Sequence, residues 1–267
     1  MLELIFFPGA TCGQKVRFAM AEKNVGYEAR IVDRAYLQTP DYLKLNRNGV
    51  VPTLIHDGTV LTESSVIINY IDDAFPGPPL KPNTPLGVAR NWWWMKHADE
   101  CLAKIGVVTY AISMRPKLLE KTPEEITRYL DGIPDVAKRE RRRRVIDLGL
   151  KSPDFPVALA GLQLMLSDME AAISDNSGWL VGDDYSLADT AMTPLVLRLD
   201  ELQLEGLWQN RHPKVARWWD QIRQRQSYID CVITTPNPEG PQHAAAGSSA
   251  LPEIEKLLSR PTQGLGD

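Results

Sequence analysis

A chain of 267 residues can bury one or two cores, and two compact units are the expected count. Its 43% hydrophobic and 24% charged residues are the proportions of an ordinary globular protein, which excludes a disordered or fibrous chain. The net charge of −4 argues against broad nucleic-acid binding, and no apolar run reaches the length needed to cross a bilayer. The apolar segment 1–7 lacks a basic start and is shorter than a signal peptide, so the cytoplasm is the expected location. Cys12, Cys101 and Cys231 are odd in number and far apart, which fits a reducing compartment and no disulfide framework. His56, His97, His212 and His243 do not cluster at metal-ligand spacing, so no metal site is expected.

Along the chain, the compact apolar run 2–7 predicts a buried strand, ended by Pro8 and Gly9. Val16, Phe18, Ala19, Met20 and Ala21 predict a helix that stops near Asn24 and Gly26. Residues 29–32 read as a second strand and 40–45 as a short helix. Val51 to His56 is a third strand opened by Pro52, and Asp57-Gly58 is a hairpin turn into a fourth at 59–62. Val66, Ile67, Tyr70 and Ile71 then mark one face of an amphipathic helix.

Prolines 76, 78, 79, 82 and 85 stiffen the chain and mark a boundary. The expected organisation is an α/β unit over 1–76, a proline-rich linker over 77–86, an all-helical unit over 87–234, and a tail over 235–267. Helices are expected from Leu86 into the 110s and over 122–130, 136–148, 156–173, 186–199 and 212–226. The run Lys138 to Arg144 reads as a solvated helix face rather than a phosphate site, because acidic residues precede it. The Pro-, Gly-, Ala- and Ser-rich tail reads as loose or surface-bound, with a short amphipathic piece at 254–258.

Four places carry chemistry. The turn Pro8-Gly9-Ala10-Thr11-Cys12-Gly13 leads into a helix, whose first amides and partial positive charge stabilise an anion such as a thiolate. Lowering a thiol by two pH units from ~8.5 takes ~2.7 kcal/mol, within reach of one hydroxyl bond plus the helix end. Equally, Thr11 fits an ordinary N-cap and Cys12 a small buried residue. Lys15 stands where a Cys-x-x-Cys pair would need its second cysteine, so two-cysteine redox chemistry is not expected, whereas monothiol chemistry at Cys12 stays open.

Val51-Pro52 opens a strand that can pair with an extended peptide if its bond is cis, or is a plain trans strand start. Glu63 and Ser64 precede a helix; together they suit an α-amino-acid head, and Ser64 alone suits a cap. Ser186-Leu187-Ala188-Asp189 is a capping box that starts a core helix.

In this order, these segments resemble the glutathione transferase superfamily, over about residues 1–229. The Pro-Gly-Ala-Thr-Cys turn is similar to the catalytic turn of its serine/cysteine-type classes. Residues 49–54 resemble its cis-proline strand, residues 57–67 its γ-glutamyl-binding stretch, and Ser186 to Asp189 its helical-domain folding box. Pro8-Gly9-Ala10, the downstream Thr-Glu-Ser-Ser-Val-Ile, Ile133-Pro134 and the arginine-rich insert (Arg139, Arg141 to Arg144) resemble the bacterial β-etherases, which cleave β-aryl ethers of lignin fragments.

The resemblance implies the glutathione transferase fold, a thioredoxin-like domain (βαβ-α-ββα) plus an all-α domain. Glutathione is the implied co-substrate, with no metal. By position, Thr11 would steady the glutathione thiolate, with Cys12 the second candidate. Val51 and Pro52 would meet its cysteinyl backbone, and Glu63 and Ser64 its γ-glutamyl head. A small aromatic electrophile would lie near Ala10, Trp93, His97 and Tyr110, although consecutive Trp92, Trp93 and Trp94 cannot share one face. Thr11-Cys12 departs from the family's frequent serine, which also admits a Cys12-dependent glutathione lyase or thiol oxidoreductase. A non-catalytic glutathione-binding scaffold is the third reading. A homodimer, or a heterodimer with a paralogue, is implied.

Overall fold

The computed structural model describes residues 1–258. β1 (Leu2–Phe6), α1 (Thr11–Glu22) and β2 (Glu28–Ile31) open the chain. α2 (Pro40–Leu45), β3 (Thr53–His56), β4 (Thr59–Leu61) and α3 (Ser64–Ala74) complete a thioredoxin-like unit. The sheet order is β2-β1-β3-β4, with β1 parallel to β2 and antiparallel to β3. Ile5 faces Thr53 in register, so the end of β1 that feeds α1 lies beside the start of β3. Val16, Phe18, Ala19 and Met20 are buried, and α1 is clasped between the sheet, α3 and the helical unit. Burial on all sides, of Gln14, Lys15 and Arg17 as well as the apolar residues, is why this segment holds a helix without a capping side chain.

The proline-rich stretch is pinned rather than loose. Asp72 accepts hydrogen bonds from the Leu80 amide and from Lys23, and the Leu80 carbonyl accepts from the Leu187 amide at 2.8 Å. α4 (Pro85–Thr109) follows, capped by Thr84 with proline in its first turn. It continues through a π-helical turn, Tyr110–Met114, into the short α5 (Arg115–Leu119). α6 (Pro123–Asp131) begins with a Thr122–Glu125 capping box, and Asp135 caps α7 (Val136–Leu148).

α8 (Asp154–Ala172) packs along α4, and α9 (Leu187–Glu201) is buried from Leu187 to Leu199. The expected capping box is present: Ser186 and Asp189 exchange bonds at the start of α9. Asp189 also accepts from the Leu180 amide and from Trp218 Nε1, tying α9 to α10 (Pro213–Gln224). α11 (Gln226–Tyr228) runs into a second π-helical turn, Ile229–Ile233. One continuous apolar core runs from Leu4 and Phe18 through Trp94 and Leu166 to Trp218 and Ile254.

Of the two readings of the tail, loose or surface-bound, the loose one is corrected. Residues Gly240–Leu258 form α12, with His243 and Ile254 fully buried. Composition misled because packing, not propensity, holds this helix. Gly247 lies against the Leu202 carbonyl so closely that a Cβ there would come within 1.8 Å of the oxygen. The remaining expected tail residues, 259–267, lie outside the described residues. Among the described residues, no helix is long and apolar enough to cross a membrane.

Candidate active site

Ala10, not Thr11, holds the N-cap position of α1, and its side chain cannot accept a hydrogen bond. The N-cap reading of Thr11 therefore fails. Thr11 is the first helical residue, half-buried, and its hydroxyl has no hydrogen-bond partner among the described residues. The first amides of α1 end in an uncapped, electropositive terminus. By contrast α2, α4, α6, α7 and α9 are each capped by a threonine, aspartate or serine side chain.

The next residue, Cys12, is a free thiol reached by the Ser64 hydroxyl. Burial pushes this thiol above the ordinary cysteine value, while the nearby Lys15 charge and the Ser64 bond pull the other way. A thiol raised in this way keeps its proton at neutral pH and serves as a hydrogen-bond donor rather than a ready nucleophile.

The turn itself is clamped from the helical unit. Arg198 Nη2 donates to the Gly9 carbonyl at 2.5 Å, and a Cβ on Gly9 would strike the Asn237 side chain. Sequence reasoning missed this clamp because Arg198 and Asn237 lie far along the chain.

The Val51-Pro52 bond is cis. Tyr42 Oη and Asn46 Nδ2 both donate to the Val50 carbonyl, at 2.6 and 2.8 Å, and fix the loop that carries it. Val51 lies outside the β3 ladder, which starts at Thr53.

Across the cleft, Glu63 rather than Ser64 is the N-cap of α3, and it caps nothing with its side chain. Its φ of 68° is left-handed, a conformation that persists for such a residue only where its surroundings hold it. Its carboxylate is exposed, with Asn48 Nδ2 donating to it at 3.5 Å. Ser64 is buried as the first residue of α3.

The structure thus gathers Ala10, Thr11, Cys12 and Ser64, with Glu63 beside them. It also reveals a cation that the sequence did not flag. Lys15 Nζ, 1% exposed, donates to Asp99 at 2.7 Å and to Ser65 Oγ at 3.1 Å. α1, α3 and α4 meet at this bond, and its charge lies within reach of the Cys12 sulfur.

Trp93 and His97 make their contacts with each other and with α8. They stack on each other, ring centroids 4.8 Å apart, and His97 lies 3.5 Å from Asp168 on α8. His97 is two residues, about 200° of helix turn, from Asp99, which faces α1 and α3. Burial depresses the His97 pKa, and Asp168 opposes the shift.

Tyr110 sits differently, at the entrance to the π-helical turn, where the helix widens as it often does at functional sites. Its hydroxyl accepts from Tyr129 Oη at 3.1 Å, which leaves its own proton to donate elsewhere. Among the described residues, no group of three or more His, Cys, Asp or Glu side chains is placed to hold a metal ion.

α1 and α3 thus both begin without a capping side chain, on a thioredoxin-like unit joined to a helical one. Residues 4–79 match the glutathione S-transferase N-terminal domain, and residues 150–226 match the glutathione S-transferase C-terminal domain. The chain belongs to the glutathione S-transferase family.

It is 42% identical over 220 residues to the stringent starvation protein A homolog of Histophilus somni, covering 82% of this chain and 84% of that one. It is 27% identical over 240 residues to the tetrachloro-p-hydroquinone reductive dehalogenase of Sphingobium chlorophenolicum, covering 86% and 94%. The crystal structure of the β-etherase LigF from Sphingobium sp. strain SYK-6 superposes with a TM-score of 0.77 at 26% identity, over 87% of this chain and 99% of that one.

Proposed function

We propose that this protein is a glutathione transferase that activates the glutathione thiol at the amino end of α1 and turns it on an aromatic electrophile. The observation that carries the reading is the uncapped terminus at Ala10, with the Thr11 hydroxyl, unpartnered among the described residues, and the free Cys12 thiol beside it. Thr11 donates to the thiolate, and Cys12 is a second donor. The Val51 backbone pairs with the cysteinyl residue, next to Pro52. Glu63 takes the γ-glutamyl ammonium, and Ser64 with the α3 terminus takes its carboxylate.

The reaction is a displacement: the thiolate sulfur forms a bond to carbon, and the leaving group departs with the electron pair. Holding both reactants in one cleft supplies much of the acceleration. For the electrophile we favour a β-aryl ether of lignin-derived compounds, in which a phenoxide leaves the carbon beside a ketone. The likeness to the β-etherase LigF and the arginine-rich insert support that choice. In this reading the Tyr110 hydroxyl donates to the substrate, its proton being left over by the bond it accepts from Tyr129.

We assign the protein to the cytoplasm as a homodimer, with pairing to a paralogue the other arrangement. Exposed Val66 on α3 and Trp92 on α4 offer apolar surface for it.

The test is turnover with glutathione across β-aryl ether ketones, aryl halides and peroxides, followed by chromatography. Release of a phenol together with a glutathione thioether is the expected result. Glutathione binding with no turnover on any of them would point to a scaffold instead.

A further inference from the structure

Arg142 is a basic side chain that the chemistry above leaves unused. Arg142 turns inward from α7, with its guanidinium over the Tyr110 ring and Nη1 donating to Tyr129 Oη at 3.0 Å. It has no acidic partner among the described residues. Its neighbours do have partners: Arg144 grips Asp154 through two bonds, and Arg139 donates twice to the Ile133 carbonyl.

The other charge near Arg142 is a second cation. Burial and the repulsion of Arg34 bring Arg142 down to about 9. Arg34 lies over the ring of Phe7, immediately before the Pro8-Gly9 turn, and pairs with Glu239 at 2.9 Å. The insert therefore reaches the mouth of the cleft. Gln38 supports this placement, since its amide lies against both Gly132 at the end of α6 and Gly49 beside the Val51-Pro52 loop. Arg142 is half-buried, and the acidic partner at this cluster, Glu239, is taken by Arg34, so the Arg142 charge is left without an anion of its own.

We propose that Arg142, flanked by Arg34 and the Tyr110 hydroxyl, binds a carboxylate carried by the electrophilic substrate. Two of its nitrogens, Nε and Nη2, have no protein partner among the described residues, and they form the edge of a fork that matches a carboxylate. Naming the ligand as the second substrate rests on the transferase reading. The acid would be an aromatic one, its ring beside Tyr110 and its anion at the arginine.

The test uses the full chain saturated with S-methylglutathione, which occupies the tripeptide site without reacting. Calorimetric titration compares 4-phenoxybenzoate with 4-phenoxybenzamide, which have the same shape and differ by one charge. The benzoate is expected to bind about tenfold or more tightly, the value of a charge-assisted bond. Arg142→Met should bring both ligands to the affinity of the amide, while Arg142→Lys keeps part of the preference. Arg34→Met should lower the ratio in the same direction, and it leaves α7 unaltered should Arg142→Met loosen that helix.

Equal affinities in the wild type, or a preference that survives Arg142→Met, overturn the proposal. So does a loss of S-methylglutathione affinity in Arg142→Met with the benzoate preference intact, which would give the arginine to the tripeptide's own carboxylate. A retained benzoate preference in a protein that turns over no electrophile supports the anion site and sinks only the transferase reading.

Discussion

Thr11 and Cys12 adjoin, yet their surroundings assign them different work. The Thr11 hydroxyl is unpartnered at an open helix end, whereas the Cys12 sulfur is raised by burial. Thr11→Ala should therefore cut kcat/KM about 10- to 100-fold, the loss of one hydrogen bond to an anion. Cys12→Ser keeps a donor and should cost less than Thr11→Ala. Steady-state kinetics with glutathione check both, and a collapse confined to Cys12→Ser, with a glutathione mixed disulfide in the wild type, would favour lyase chemistry. The sequence made Ala10, Thr11, Glu63 and Ser64 legible because they sit at turns with local signatures. It could not show Lys15, Asp99 or Arg142, since their partners are brought together only by tertiary packing. For Trp93 and His97 the sequence could not give the face, since which side of a long helix meets which neighbour is decided by packing.

At the scale of elements, periodicity and punctuation located the strands and most helices. Pro40, Thr122 and Ser186 begin or cap their helices as expected. The π-helical turns and most of α12 were not legible, beyond its amphipathic piece at 254–258, since each depends on tertiary contacts. His243 shows how α12 is held. Arg198 Nη1 donates to its Nε2 at 2.6 Å, so the ring proton is on Nδ1 and is donated to Ser113 Oγ.

Burial and Arg198 keep this ring neutral, with its pKa brought down to about 4. In the unfolded chain it protonates near ~6.5, so the unfolded state binds the extra proton as pH falls from 6.5 to 4. Stability is thus full above pH ~6.5 and should fall by up to about 3 kcal/mol across that window. Thermal melts from pH 7 to 4.5 should show this decline, and His243→Gln should flatten it. An unchanged slope in the variant would remove His243 from the account.

For the molecule as a whole, the sheet unit and the helical unit share one apolar core and are tied by charge as well. Arg225 grips Glu22 through two bonds at 2.6 Å, and Ser227 Oγ donates to the same nearly buried carboxylate. Arg225→Met would strand that charge and should destabilise the protein by about 2 kcal/mol or more, read as a lowered Cm in urea. An unshifted midpoint would mean that the apolar core alone joins the two units.

The proposal for the whole chain rests on the state of one sulfur. Ultraviolet difference titration of the glutathione thiolate on the protein measures that state directly. A bound thiol ionising at least one pH unit below its free value of about 8.5, and returning toward it in Thr11→Ala, is the result expected here. A bound glutathione that ionises as it does in water would contradict it.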